Sequence, residues 1–155
     1  MDKKVRDVYF FGLIFLIVDQ AIKFLVESKM VLHESIIVLD NFFSITLVHN
    51  LGAAFSILNG NKILLISVGV IAVLLLVMYI NSCKSLTDVD VFIYSLLLGG
   101  ILGNLLDRIL KGYVVDYLSF NFGNYYFPIF NFADICIVVS VLFMILGSIR
   151  GDLWK

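Results

Sequence analysis

Charge is scarce in this chain. Of 155 residues 15% are charged and 61% hydrophobic, with a mean hydropathy of +1.05. A soluble domain carries about 25% charged and roughly 45–50% apolar residues, so the composition excludes an ordinary water-soluble fold. The formal net charge is −1 and no Lys/Arg-rich run is present, which leaves no footprint for nucleic acid or for a polybasic lipid-binding arm. Cysteine is nearly absent. Cys83 and Cys136 stand far apart in unlike settings and match neither a disulfide framework nor a zinc pattern. There is no His-Glu-x-x-His, which argues against a zinc metallopeptidase. There is no Gly-x-Ser-x-Gly, and His33 and His49 are isolated, so a serine triad has no parts. Cys136 lies in an apolar run, a poor place for a thiolate. No internal repeat or low-complexity segment appears, and the length allows one domain, residues 1–155. No metal or cofactor is expected.

Long hydrophobic runs fill the rest. Four of them, about residues 8–26, 63–80, 91–110 and 130–149, each suffice to cross a hydrocarbon core of about 30 Å as a helix. The basic start (Lys3, Lys4, Arg6) before an apolar run imitates a secretory signal. No small-residue cleavage site follows, and the run continues through Asp19, Gln20 and Lys23, so a retained first helix is expected. Basic residues near helix ends favour a cytoplasmic location for Lys3, Lys4, Arg6, Lys84, Arg150 and Lys155. Lys29 and Lys111 fall in outer connections, so both termini are expected in the cytoplasm. The expected fold is therefore a mainly α membrane protein: a four-transmembrane-helix bundle. A small β-rich interfacial segment, about residues 35–58, joins helices one and two on the outer face. Its runs Ile36–Leu39 and Phe42–Val48, separated by Asp40-Asn41, read as short strands with a turn. The second outer connection, residues 112–129, is rich in aromatics and turn residues and reads as an interfacial loop with membrane-surface tyrosines.

Several residues do not belong in a bilayer. Asp19 and Lys23 share one helix face. Asn104, Asp107 and Arg108 close the third helix, Asp116 follows it, and Asn131 and Asp134 open the fourth. A charge at a helix centre costs about 2.5–3.5 kcal/mol even on the lenient insertion scale, so such groups face a bundle interior or a wet cavity. With the expected orientation three helix ends bring these groups to one level near the outer face. Each also has a plainer role: Asp19–Lys23 as a packing ion pair, Arg108 as a snorkelling anchor, Asn131-x-x-Asp134 as a helix cap. Asp116, between valines and aromatics, is the hardest to explain that way. Gly99-Gly100-x-x-Gly103 gives the third helix a thin face for close packing.

With other hydrolytic chemistries lacking their residues, carboxylates remain. Two carboxylates in contact share a proton. The ionised member can take a proton from water while the protonated one polarises a carbonyl. Spacing offers Asp19, Asp107, Asp116 and Asp134 without choosing a pair. A small transporter would spread polar groups across the bilayer depth, and an assembly protein would need no isolated Asp116.

The motifs, in order, resemble the bacterial lipoprotein signal peptidases (signal peptidase II). They are Asp19-Gln20-x-x-Lys23, Asn50-x-Gly52-Ala53-Ala54-Phe55, Gly99-Gly100-x-x-Gly103-Asn104-x-x-Asp107-Arg108, Gly112-x-Val114-Val115-Asp116 and Phe127-Pro128-x-Phe130-Asn131-x-Ala133-Asp134. Ile101, where alanine is usual, and Tyr117, where phenylalanine is frequent, depart from the pattern. The resemblance implies an aspartic endopeptidase with Asp116 and Asp134 as catalytic dyad. It implies Asn104, Arg108 and Asn131 as contacts to substrate or to the inhibitor globomycin, grouped with Asn50 and Gly52. Asp19, Lys23 and Asp107 are expected in support. The implied substrates are diacylglyceryl-modified prolipoproteins reached from the membrane lipid and cut before the lipidated cysteine, in the bacterial cytoplasmic membrane.

Overall fold

The computed structural model describes residues 2–52 and 61–150, the Arg150 side chain excepted. The Ala53-Ala54-Phe55 part of the second motif, residues 53–58 of the expected β-rich segment, and Lys155 lie outside the described residues. The order of elements is α1 (Lys3–Lys29), β1 (Ser35–Leu39), β2 (Phe43–Asn50), α2 (Lys62–Ser82), α3 (Asp88–Leu110), β3 (Val114–Phe122), β4 (Tyr125–Tyr126) and α4 (Phe132–Arg150). All four helices are long and apolar enough to cross a membrane.

The helices extend past the apolar runs because polar residues at their starts cap them. Asp2 accepts the Lys4 N–H at 3.0 Å, and Asn61 accepts the Leu64 N–H at 3.2 Å. Thr87 and Asp90 form a reciprocal capping box at the start of α3. At the other end of α3, Gly112 takes φ +88°, a left-handed conformation that glycine adopts without a Cβ penalty. The chain there leaves the helix and enters β3.

Helix α3 is central and packs on α1, α2 and α4. Buried residues of α1 (Val5, Val8, Gly12, Asp19, Lys23) recur at helical spacing along one stripe. That stripe is apolar at its start and charged near its end. The α3 glycines allow the backbones to approach. A Cβ on Gly99 would stand 2.8 Å from the Gly12 carbonyl oxygen, one on Gly100 2.7 Å from that of Ala133, and one on Gly103 would collide with the Asp19 carboxylate. Large side chains such as Leu13, Ile17, Phe24, Leu75 and Leu142 are exposed, as a lipid-facing surface requires.

One four-stranded antiparallel sheet, in the order β1-β2-β3-β4, sits at the end of the bundle where α1 and α3 finish and α4 begins. The β1–β2 hairpin matches the expected strands and turn, with Asn41 at φ +57°. The second connection differs from the sequence reading: residues 114–122 and 125–126 are strands, not an interfacial loop. β3 is held by β2, a partner more than sixty residues away in sequence, with Val48 opposite Asp116 and Asn50 opposite Val114. Side chains alternate across a strand. Val115 joins Met30 and Leu47 in a small core on one face, which turns Asp116 to the other.

Candidate active site

Lys23 is the site's charge centre. It is fully buried, as are Asp19 and Asp107. Its ammonium lies 2.8 Å from Asp19 Oδ2, 3.0 Å from Asp107 Oδ2 and 3.0 Å from Asn104 Oδ1, so each of its three protons has an acceptor. A lone charge here would be costly, and the cluster is tolerable because it is paired and hydrogen-bonded. The two carboxylates also tie other elements together. Asp19 Oδ1 accepts the Ala133 N–H of α4 at 3.0 Å, and Asp107 Oδ2 accepts the Val115 N–H of β3 at 3.2 Å.

Asn104 carries this order to the two remaining aspartates. Since Lys23 can only donate, Asn104 must face it with its oxygen, leaving the amide nitrogen for Asp134 Oδ1 at 2.7 Å. The same Asn104 oxygen accepts from Asn131 Nδ2 at 3.1 Å. Asn131 is the cap of α4. Its Oδ1 accepts the Asp134 N–H at 3.0 Å, and Asp134 Oδ2 accepts the Asn131 N–H at 3.1 Å, a capping box. The first N–H of the helix, on Phe132, is taken by Tyr117 Oη at 3.2 Å. The start of α4 is thus gripped by α1, by β3 and by its own cap, which fixes Asp134.

Asp116, 2% exposed, receives Asn131 Nδ2 on Oδ1 at 2.7 Å and Asn50 Nδ2 on Oδ2 at 2.8 Å. Both aspartates are therefore held by amides. Among the described residues neither forms an ion pair, because Lys23 reaches them only through Asn104. Burial, reinforced by the neighbouring Asp134 charge, raises the Asp116 pKa from 3.8 to about 7 against the opposing hydrogen bonds of Asn50 and Asn131. A carboxyl that keeps its proton near neutrality beside a second carboxyl is equipped for acid–base chemistry.

Asp116 and Asp134 line one cavity of about 800 Å³, together with Asn50, Asn104 and Arg108. Its apolar wall includes Ile135, Val138 and Val139 of α4 and the Phe127–Phe130 segment. That size accommodates a ligand of several hundred Å³. Arg108 donates from Nη2 to the Gly52 carbonyl at 3.0 Å and from Nη1 to the Asn104 carbonyl at 3.3 Å, while its buried Nε has no partner among the described residues. Gly52 in turn donates its N–H to Asn50 Oδ1 at 2.9 Å. All ten residues singled out in the sequence are thus joined in one network. Sequence reasoning missed Tyr117 as a holder of α4, and missed Glu27, His49, Lys111 and Tyr113. Asp107 and Lys111 repeat the four-residue spacing of Asp19 and Lys23, a signal that was present and unread.

Fold and site together define a multi-pass membrane protein with a cluster of buried carboxylates at one end of its bundle. The family model of signal peptidase (SPase) II matches residues 11–150. A lipoprotein signal peptidase of Symbiobacterium thermophilum is 40% identical over 130 residues, covering 84% of this chain and 86% of that protein. One of Halothermothrix orenii is 41% identical over 139 residues, covering 90% and 92%. Two solved structures, each described as a bacterial membrane enzyme, superpose with TM-scores of 0.86 and 0.76. They are 31% and 32% identical, covering 96% and 91% of this chain and 90% and 91% of theirs. The chain belongs to the signal peptidase II family of bacterial membrane proteases.

Proposed function

We propose that the protein removes signal peptides from diacylglyceryl-modified prolipoproteins, cutting before the lipidated cysteine with water activated between Asp116 and Asp134. The observation that carries this reading is the pair of amide-held carboxylates on one cavity wall, neither in an ion pair among the described residues. Ionised Asp134, at the positive end of α4, takes a proton from the attacking water. Neutral Asp116 gives its proton to the scissile carbonyl oxygen, which becomes a hydroxyl of the tetrahedral gem-diol. Asp134 then passes its proton to the leaving nitrogen, and Asp116 recovers its own as the carbonyl re-forms. Arg108, whose Nε has no partner among the described residues, binds backbone carbonyls of the substrate. Asn50, Asn104 and Asn131 keep both carboxylates in register, and the Gly52 carbonyl holds Arg108.

The apolar α4 wall suits the acyl chains of a substrate arriving sideways from the lipid, and globomycin is expected to compete for the same cavity. Both termini are assigned to the cytoplasm, with the site near the outer face, in one integral membrane domain. A transport reading fits less well. Among the described residues the buried polar side chains cluster at one end of the bundle. The exceptions, Ser95 and Ser140, bond to backbone carbonyls. Incubating purified protein with a diacylglyceryl-modified lipobox peptide tests the proposal. Cleavage before the modified cysteine, blocked by globomycin, is expected; an intact peptide, or cleavage of the unmodified one equally well, would overturn it.

A further inference from the structure

We propose that Lys111, held by Glu27, is a positioning residue for the reaction centre, acting through Asp107 on the strand that carries Asp116. The inference rests on the catalytic reading of Asp116 and Asp134 above. Asp107 is fully buried and bonds the Val115 N–H, one residue from Asp116. Two cations fix its carboxylate: Lys23 on Oδ2, and Lys111 on Oδ1 at 3.2 Å. Lys111 on Oδ1 thereby fixes the rotation that aims Oδ2 at both Lys23 and the Val115 N–H, and losing it loosens the strand's anchor. Lys111 is itself held, since Glu27 Oε2 lies 2.7 Å from its ammonium. Glu27 Oε1 accepts from Tyr113 Oη at 3.2 Å and lies 3.3 Å from His49 Nε2. The His49 ring stacks on Tyr113 at 3.8 Å, and His49 pairs with Val115 across the sheet. One carboxylate at the end of α1 thereby gathers the end of α3, the start of β3 and strand β2.

Electrostatics gives this cluster a signature that packing alone lacks. Three carboxylates, Glu27, Asp107 and Asp19, face two lysines, Lys23 and Lys111, so the cluster already carries one excess negative charge. Burial disfavours the Lys111 ammonium, but Glu27 and Asp107 outweigh it and raise its pKa, so Lys111 stays charged at neutral pH. Removing it leaves three carboxylates against Lys23, and added negative charge makes nearby carboxyls hold their protons to higher pH.

The test uses the full-length protein in lipid nanodiscs and the diacylglyceryl lipobox peptide. Lys111→Met should lower kcat about tenfold, leave KM within about twofold, and move the alkaline limb of the pH–rate profile to higher pH. Lys111→Arg should restore both. Glu27→Gln, which keeps the Lys111 charge but weakens its anchor, should lower kcat less and supplies the reading should Lys111→Met not fold. Parental kcat and pH profile in Lys111→Met or parental kcat in Glu27→Gln, even with a lower melting temperature, would reduce the cluster to a stabilising clamp and overturn the inference. Asp116→Asn run in parallel separates the two claims: its turnover would refute the catalytic reading instead.

Discussion

Asp116→Asn should cost the protein its activity and make it more stable at alkaline pH. The folded state holds the Asp116 pKa at about 7, against 3.8 for a free aspartate. The native fold thus binds this proton more tightly than the unfolded chain. Its stability is least above pH about 7, where a charge must be kept buried, and rises as pH falls towards about 4. At roughly 1.4 kcal/mol per pH unit the strain above neutrality reaches about 4 kcal/mol. Asparagine removes that strain but brings a cost. Asn50 and Asn131 both donate to position 116, and an amide offers one oxygen, so one donor is left facing another, at about 1–3 kcal/mol. The net expectation is a gain on the order of 1–3 kcal/mol at about pH 8.5 and a loss of similar size at about pH 3.5, below the free aspartate value, where the strain has vanished. Thermal unfolding of parent and variant in the same detergent at both pH values measures it. A stability difference that does not change sign between them would refute the assignment of the shared proton to Asp116.

Other substitutions probe the supporting network. Lys23→Met should destabilise by about 3–5 kcal/mol, because it leaves Asp19 and Asp107 buried together without their shared cation. Asp19→Asn, which leaves a Lys23–Asp107 pair, should cost clearly less; chemical denaturation in mixed micelles ranks them, and equal losses would contradict the shared-cation account. The pH–rate profile should fall as pH rises through about 7, where Asp116 loses the proton that polarises the carbonyl; a rate still climbing beyond about pH 8 would exclude that role. Arg108→Lys should weaken globomycin and substrate binding, read by competition binding, because a single ammonium cannot span the Gly52 and Asn104 carbonyls and still offer a donor; unchanged affinity would return Arg108 to an anchoring role.

Much of the bundle was legible because bilayer thickness ties hydropathy to helix length. The polar ends were less so: α1 runs from Lys3 and α3 from Asp88, since capped polar turns continue a helix beyond its greasy run. The i, i+4 pair Asp19–Lys23 and the cap Asn131-x-x-Asp134 are local patterns, and both occur as read. Here the cap and the proposed reaction centre share residues, because the cap orients Asp134. Strand β3 was hidden since its pairing partner, β2, is distant in sequence, while its aromatics had a sufficient explanation at a membrane surface. For the same reason the bond from Asn50 to Asp116 could not be read: only the β2–β3 register brings them together. Glu27 and Lys111 looked like ordinary charges at helix ends until the fold joined them to Asp107.

The central claim is that one proton shared between Asp116 and Asp134 drives peptide hydrolysis. The most direct measurement is single-turnover cleavage of the diacylglyceryl lipobox peptide by the parent, Asp116→Asn, Asp134→Asn and the double variant, each first shown to bind globomycin. The account predicts cleavage by the parent alone, with the double variant no worse than either single one, because residues acting as a unit are non-additive. Substantial cleavage by either asparagine variant that still binds globomycin would contradict it and move the chemistry to another carboxylate, with Asp107 the first to test.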